Sequence, residues 1–258
     1  MSATDLDGLR VLVTRPAGQS AGLREQLAAA GAQVRMLPLL QILPPADPDA
    51  ARARLLESRR ADFWLFTSAN AVRGAARIGA AGGLLPREWP ETLFALGRGT
   101  AGALAALGRL SLAPEGATSE ALLLWPELQQ VGELEVLVVT GEGGRGLLAD
   151  TLAERGALVR VARTYRREPV AHTAEDALAA LAGIDVVLLT GGESLEALLR
   201  LVPPAQQSLL QRLTLVVPSK RVVELARRLG FTGALLVPDA VSDTAYLARL
   251  RRWRQGLD

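Results

Sequence analysis

The chain has no cysteine and a single histidine, His172. Disulfides, iron–sulfur clusters and thiol nucleophiles are thereby excluded. One histidine also removes most zinc and catalytic-histidine schemes, because a zinc site would have to be built almost from carboxylates alone, which zinc seldom uses. His172 follows Pro169-Val170-Ala171 near a helix start and reads as a surface residue. Aromatic residues make up only 4% of the sequence, too few for the stacking platforms of single-strand nucleic-acid binders. An excess of one charge is missing too. The 29 basic and 27 acidic residues leave a net +2 with no basic stripe, which argues against a nucleic-acid partner. No run approaches the ~20 apolar residues of a membrane-spanning helix. The opening MSATDLDGLR carries two acidic residues and no apolar run after an early positive charge, so no signal peptide is read there. The expected location is the cytoplasm.

What remains is an ordinary globular balance of 49% hydrophobic and 22% charged residues over 258 positions. That length can bury one large core or two modest ones of roughly 100–150 residues each. Val11-Leu12-Val13 reads as a strand. A loop of small and polar residues follows, then a helical pattern with Leu23 and Leu27 four apart, stopped by Gly31, and a second strand from Val34 to Leu37. Leu39–Pro48 contains three prolines and reads as an extended connector. A helix is predicted over Ala50–Arg60. Phe63–Phe66 is fully apolar, as in a parallel sheet covered on both faces. Thr67–Asn70 turns the chain into a helix starting near Ala69. The strand–loop–helix plan recurs over Thr92–Gly108, followed by a short strand around Leu110–Ala113 and a helix from about Thr118.

The second half repeats this order. Val136-Leu137-Val138 stands 125 residues after Val11-Leu12-Val13, and Gly156-Ala157 stands 125 after Gly31-Ala32. Asp185–Thr190 follows Asp62–Thr67 by 123, Leu229-Gly230 follows Leu107-Gly108 by 122, and Pro238 and Ser242 follow Pro114 and Thr118 by 124. Four units in one order at nearly constant spacing indicate a duplicated α/β half. Alternating strands and helices imply parallel sheets, whose ligands bind outside the carboxyl ends of the strands. The loops there are Thr14–Ser20, Thr67–Asn70, Gly97–Thr100, Thr140–Gly146, Thr190–Ser194 and Pro218–Arg221. They are rich in Gly, Ser, Thr and Arg, a lining suited to an anion held by backbone N–H groups and helix dipoles. The glycines at 141, 143 and 144 fit neither the P-loop nor the dinucleotide spacing, and Gly191-Gly192 fits no better. Two segments, Val34–Pro48 and Val159–Val170 (VRVARTYRREPV), are expected to lie side by side between two lobes, with the ligand in the cleft they span.

VLVTRPAGQ at Val11–Gln19, FTSANAV at Phe66–Val72 and ALGRGTAGAL at Ala95–Leu104 resemble uroporphyrinogen-III synthase. So do VTGEGGRGLLADTLAERGA at Val139–Ala157, TYRR at Thr164–Arg167 and VPSKRVVELARRLGF at Val217–Phe231. The resemblance covers essentially the whole chain in the right order. It implies an α/β fold of two similar lobes, each a flavodoxin-like parallel sheet flanked by helices, joined by a two-segment hinge. One lobe would be residues 1–38 with 171–258, the other 49–162, and the hinge 39–48 and 163–170. Without the resemblance, a single boundary near Gly132 would be drawn. The activity implied is that of a cyclising lyase of haem, sirohaem and cobalamin biosynthesis. It converts linear hydroxymethylbilane to uroporphyrinogen III, inverts ring D and releases water. No cofactor and no metal are implied. The expected partner is the tetrapyrrole substrate, handed over by hydroxymethylbilane synthase to a monomer, with neither nucleic acid nor membrane.

By the same resemblance Tyr165 is the cleft tyrosine, a candidate proton donor to the departing hydroxyl, or else a linker tyrosine packed between lobes. An ordinary phenol, with a pKa near 10, is protonated at neutral pH. Thr100 matches the cleft threonine at a helix N-terminus, where a cap is the bland alternative. Thr67 and Ser68, with a helix cap as the equal alternative, and Asn70, Thr190 and Ser219 are further substrate-binding candidates on the strand-end loops. Arg15, Arg98, Lys220 and Arg221 could pair with acetate or propionate arms or remain solvated surface charges. Ser219-Lys220-Arg221 stands where the internal repeat has Gly97-Arg98-Gly99, a departure between the two halves at that loop. Two other classes compete: a non-catalytic two-lobed module that binds an anionic small molecule or regulates through a partner, and a nucleotide-binding doubly wound enzyme. The second lacks the glycine fingerprint and the acidic residue after it.

Overall fold

Phe63, Trp64, Leu65 and Phe66 are all buried, which requires an apolar layer on each face of the strand they form. In the computed structural model, which describes residues 5–114, 118–144 and 146–257, such strands build two sheets. The strands are β1 (Arg10–Val13), β2 (Gln33–Met36), β3 (Leu40–Leu43), β4 (Phe63–Phe66), β5 (Thr92–Ala95), β6 (Glu135–Gly141), β7 (Leu158–Pro169), β8 (Val186–Leu188), β9 (Thr214–Val216) and β10 (Leu235–Leu236). The helices are α1 (Ala21–Ala29), α2 (Pro48–Glu57), α3 (Ala69–Ala81), α4 (Arg98–Ala105), α5 (Ser119–Leu123), α6 (Leu147–Glu154), α7 (Ala174–Leu181), α8 (Gly192–Leu201), α9 (Gln207–Leu210), α10 (Lys220–Arg228) and α11 (Asp243–Arg254). None of them is long and apolar enough to cross a membrane. The chain divides into two compact units, Met1–Gln41 with Glu168–Asp258, and Ile42–Arg167.

In the first unit the sheet order is β10-β9-β8-β1-β2, and its pairings are parallel. Taken in chain order, this is the doubly wound 2-1-3-4-5 arrangement. The alternation of a strand sends Val11 and Val13 to one face, with Leu23 and Leu27 of α1 and Tyr246 and Leu250 of α11. Leu12 faces the other layer, with residues of α7, α8 and α10. In the second unit the order is β3-β7-β6-β4-β5. Trp64 and Phe66 join the layer of α2, α3 and α4, and Phe63 and Leu65 join that of α5 and α6. Trp89 stacks obliquely on both Trp64 and Phe66, with centroids 5.4 and 5.3 Å apart.

The repeated halves exchange pieces. β1, from the first half, pairs with β8, and β6, from the second half, pairs with β4. One device anchors both exchanges. Asp185 Oδ2 accepts from the Arg10 amide at 2.9 Å, and Asp62 Oδ2 accepts from the Glu135 amide at 2.8 Å. These aspartates are equivalent positions of the repeat. Arg10 adds Nε and Nη2 bonds to Asp185 at 3.0 and 2.7 Å, and the guanidinium holds the Asp185 carboxyl below its usual pKa.

Three local expectations need correction. Leu39–Pro48 is not merely a connector, because Leu40–Leu43 form β3 beside β7 and the chain turns helical at Pro48. Asp47 caps that helix, its Oδ1 accepting from the Ala50 amide at 2.8 Å, with proline in the first turn where a missing N–H costs nothing. Residues 163–169 are likewise strand, the second part of β7. Leu110–Ala113 forms no strand. Leu112 alone bridges Phe94, donating to Leu93 O and accepting from the Ala95 amide.

Two side-chain contacts in these layers set stability. A Cβ on Gly74 of α3 would lie 2.4 Å from Thr164 O and 2.8 Å from its hydroxyl, and that hydroxyl donates to Ala71 O at 3.1 Å. Gly74→Ala should therefore force α3 off β7 and destabilise the fold by about 1–3 kcal/mol, to be read in urea denaturation. Burial pushes the Tyr246 phenol up to about 12, a shift that the nearby Arg15 opposes and Asp243 reinforces. An unfolded tyrosine ionises near 10. Stability from this residue is complete below pH 10 and is lost as the pH rises toward 12, because only the unfolded state gives up its proton in that window. Tyr246→Phe should flatten the fall in urea stability over that range, removing a term of at most about 3 kcal/mol.

Candidate functional site

Apolar side chains cover both faces of each sheet, so polar groups collect where strands end. In the second unit, the direction of winding reverses between β6 and β4, and a doubly wound sheet opens at such a point. Thr67, one residue beyond β4, spans the gap. Its amide and hydroxyl donate to Val139 O at 3.1 and 3.3 Å, and its Oγ1 also lies 2.9 Å from Thr140 Oγ1. Ser68 follows as the N-cap of α3, accepting from the Ala71 amide at 3.1 Å. Its Oγ stands 3.1 Å from the phenol oxygen of Tyr165, and either can donate. Tyr165 itself is 6% exposed and belongs to the apolar layer beneath α3. Its backbone is fixed as well, since the Glu142 amide donates to Tyr165 O at 2.9 Å and Arg166 Nη1 donates to Pro44 O at 3.0 Å.

Asn70 and Arg73 lie on the first turn and a half of α3. Arg73 Nη2 donates to Asn70 Oδ1 at 2.6 Å. Loss of solvent around the guanidinium holds its pKa below the usual arginine value, while the nearby Tyr165 phenol works in the other direction. The group remains cationic. The Tyr165 phenol thus has one hydroxyl in contact, that of Ser68, and one cation near enough to act on it, Arg73, which is bonded to Asn70. Thr100 and Arg98 stand at the end of the neighbouring β5. Thr100 is not a cap: Gly97 holds that position, and Thr100 is a buried residue in the first turn of α4, its amide bonded to Gly97 O at 3.0 Å. Arg98 opens α4 and is exposed.

In the first unit the equivalent reversal lies between β1 and β8. Thr14 closes it, its hydroxyl donating to Leu188 O at 2.8 Å. Arg15 is engaged within the protein. It is ion-paired with Asp243, donates to Gln19 O at 3.4 Å, and lies over the Tyr246 ring at 5.5 Å. Its side chain is only 15% exposed, so the reading of Arg15 as a charge open to a carboxylate does not fit. Thr190 is half-buried and its amide donates to Ser194 Oγ at 3.3 Å. Ser219 is the N-cap of α10 by position but makes no side-chain cap bond. Lys220 and Arg221 open α10 and are exposed. His172 Nε2 meets Pro38 O at 2.8 Å, and among the described residues no three acidic or histidine side chains gather into a metal-holding group. Arg145, in the loop after β6, lies outside the described residues.

Sequence reasoning placed Thr14 and Thr140 on the strand-end loops without singling them out, and missed Arg73. The two threonines had a usable signal, since each ends an apolar strand next to a turn. Arg73 had none, because one arginine on an exposed helical face looks like any other.

The family model for uroporphyrinogen-III synthase HemD matches residues 21–243. The uroporphyrinogen-III synthases of Salmonella typhimurium and Escherichia coli are each 32% identical to the chain over 243 residues, covering 91% of it and 97% of the relative. Among solved structures, a mutant uroporphyrinogen III synthase from Thermus thermophilus aligns with a TM-score of 0.65 at 19% identity, covering 97% of this chain and all of that one. The Helicobacter pylori enzyme aligns with a TM-score of 0.58 at 16% identity, covering 93% and 98%. At those identities the structures speak for the α/β fold alone, and the family model and the two enterobacterial relatives carry the assignment: the chain belongs to the uroporphyrinogen-III synthase family.

Proposed function

We propose that this uroporphyrinogen-III synthase closes hydroxymethylbilane to uroporphyrinogen III in the cytoplasm, with Tyr165 as the acid that starts the reaction. The observation that carries this reading is the Tyr165–Ser68 contact at the strand-order reversal of the second unit. The substrate's electron-rich pyrroles push out the hydroxyl of the ring A hydroxymethyl group, and a positioned proton lets it leave as water. As the C–O bond breaks, the phenol gives up its proton, and the Ser68 hydroxyl can turn to donate to the phenolate oxygen. The carbon cation then bonds to the substituted α-carbon of ring D, the bond from that carbon to the ring C methylene breaks and leaves the cation on that methylene, and the methylene bonds to the unsubstituted α-carbon of the turned ring, whose released proton restores the phenol. Atoms balance with one water lost.

The burial of Tyr165 matters here, because a phenolate is costly in an apolar layer unless donors and a cation stand beside it. Ser68 supplies the donor and Arg73 the cation. Arg73, backed by Asn70, is also suited to a substrate carboxylate. In the second unit the amides opening α4, with Arg98 and Thr100 beside them, suit a further carboxylate; in the first unit, taken by itself, the amides opening α8 and α10, with Thr190, Ser219 and Lys220 beside them, suit carboxylates in the same way. Arg15 holds Tyr246 and Asp243 instead. A handover from hydroxymethylbilane synthase to a monomer fits the instability expected of the linear substrate.

The test supplies freshly made hydroxymethylbilane and separates the product isomers. Faster formation of the type III isomer is expected, and type I product at the spontaneous rate would mark a binder that does no chemistry. Tyr165→Phe should lower kcat by about 100-fold, the lower end of the range for general acids, and full activity would remove the phenol from the mechanism. Arg73→Gln should raise KM by about tenfold with a smaller change in kcat, as expected for loss of a carboxylate contact.

A further inference from the structure

We infer that Gly141 is a positioning residue, the flat seat that holds the Tyr165 phenol against Ser68; the inference rests on the reading of Tyr165 as the acid. β6 and β7 pair in steady register from Glu135 with Leu158 through Thr140 with Arg163, and then slip, so that Gly141 pairs with Tyr165. The residue skipped is Thr164. A regular strand alternates faces. Ala162 lies in the α3 layer, and Thr164 follows it there, bonded to Ala71 O and pressed against Gly74. Val159 and Val161 pack in the opposite layer. By alternation Tyr165 belongs with the two valines. The irregularity turns it to the face of Ser68, which is what a bulge beside an active site can do.

Turning the ring requires room on the neighbouring strand. A Cβ on Gly141 would lie 2.5 Å from Tyr165 Cζ and 2.8 and 2.9 Å from the two Cε atoms. The hydroxyl-bearing end of the ring therefore lies directly over the bare Cα. Ordinary carbon contacts need ~3.5–4.0 Å, so a methyl group there would drive the phenol end off by about 1 Å. The demand is spatial, because Gly141 is not among the glycines with positive φ. The ring cannot yield cheaply, being buried and tied to Ser68. Gly141 thus differs in purpose from Gly143, whose φ of 72° serves the turn.

Gly141→Ala is to be made in the natural chain, in Tyr165→Phe and in Tyr165→Leu. In the natural chain kcat should fall by about 10- to 100-fold, on the scale of a ~1 Å misplacement, with KM changed less than about twofold and a larger share of type I product. In Tyr165→Phe the same change should cost less than about twofold, because no hydroxyl is left to misplace. In Tyr165→Leu it should leave the thermal midpoint nearly unmoved, because the ring it strikes is gone; this arm serves even if Gly141→Ala folds poorly alone. Equal kcat losses with and without the hydroxyl, an unaffected natural chain, or an equal drop in midpoint in Tyr165→Leu would each overturn the inference. Full activity of Tyr165→Phe alone would instead sink the assignment of Tyr165 as the acid.

Discussion

A strand covered by apolar layers on both faces can offer polar chemistry only at its ends. That constraint organises this protein. Every strand residue of β4 is buried, and the first residue free to be polar, Thr67, is the one that closes the reversal to Val139 and Thr140. Ser68 comes next and must cap a helix while also meeting a phenol. Whatever the second unit does chemically is thus compressed into a few residues past the strand ends, where helix N-termini and hydroxyls collect.

The duplication, the parallel sheets and the strand-end loops were legible in the sequence because they rest on hydrophobic period and on turn residues. The place where legibility failed is instructive. Leu39–Pro48 reads from its prolines as an extended link, yet Leu40–Leu43 lie before all three of them and are free to pair beside β7. Thr100 was weighed as a cap because threonine favours caps, but Gly97, three residues earlier, starts the helix. Arg15 looked available on its loop, since nothing in its neighbours announces Asp243, which is 228 positions away. Ion pairs between residues that far apart cannot be read from local pattern.

The bulge between Thr140 and Gly141 was invisible for a related reason. A register shift is a property of two strands, and the alternation of β7 alone would send Tyr165 to the wrong layer. The resemblance to a family named the tyrosine, while the geometry shows how it comes to face Ser68.

The exchange of pieces between the halves has a consequence for how the chain is made. The stretch Ile42–Arg167 is continuous, so it can acquire its own core soon after it emerges from the ribosome. β1 cannot, because its partner β8 begins 176 residues later than β1 does. At synthesis speeds of ~5–20 residues per second, this apolar strand waits on the order of ten seconds or more with one edge unfilled. Chaperone dependence during translation should therefore concentrate in the first forty or so residues, which are synthesised early and completed last.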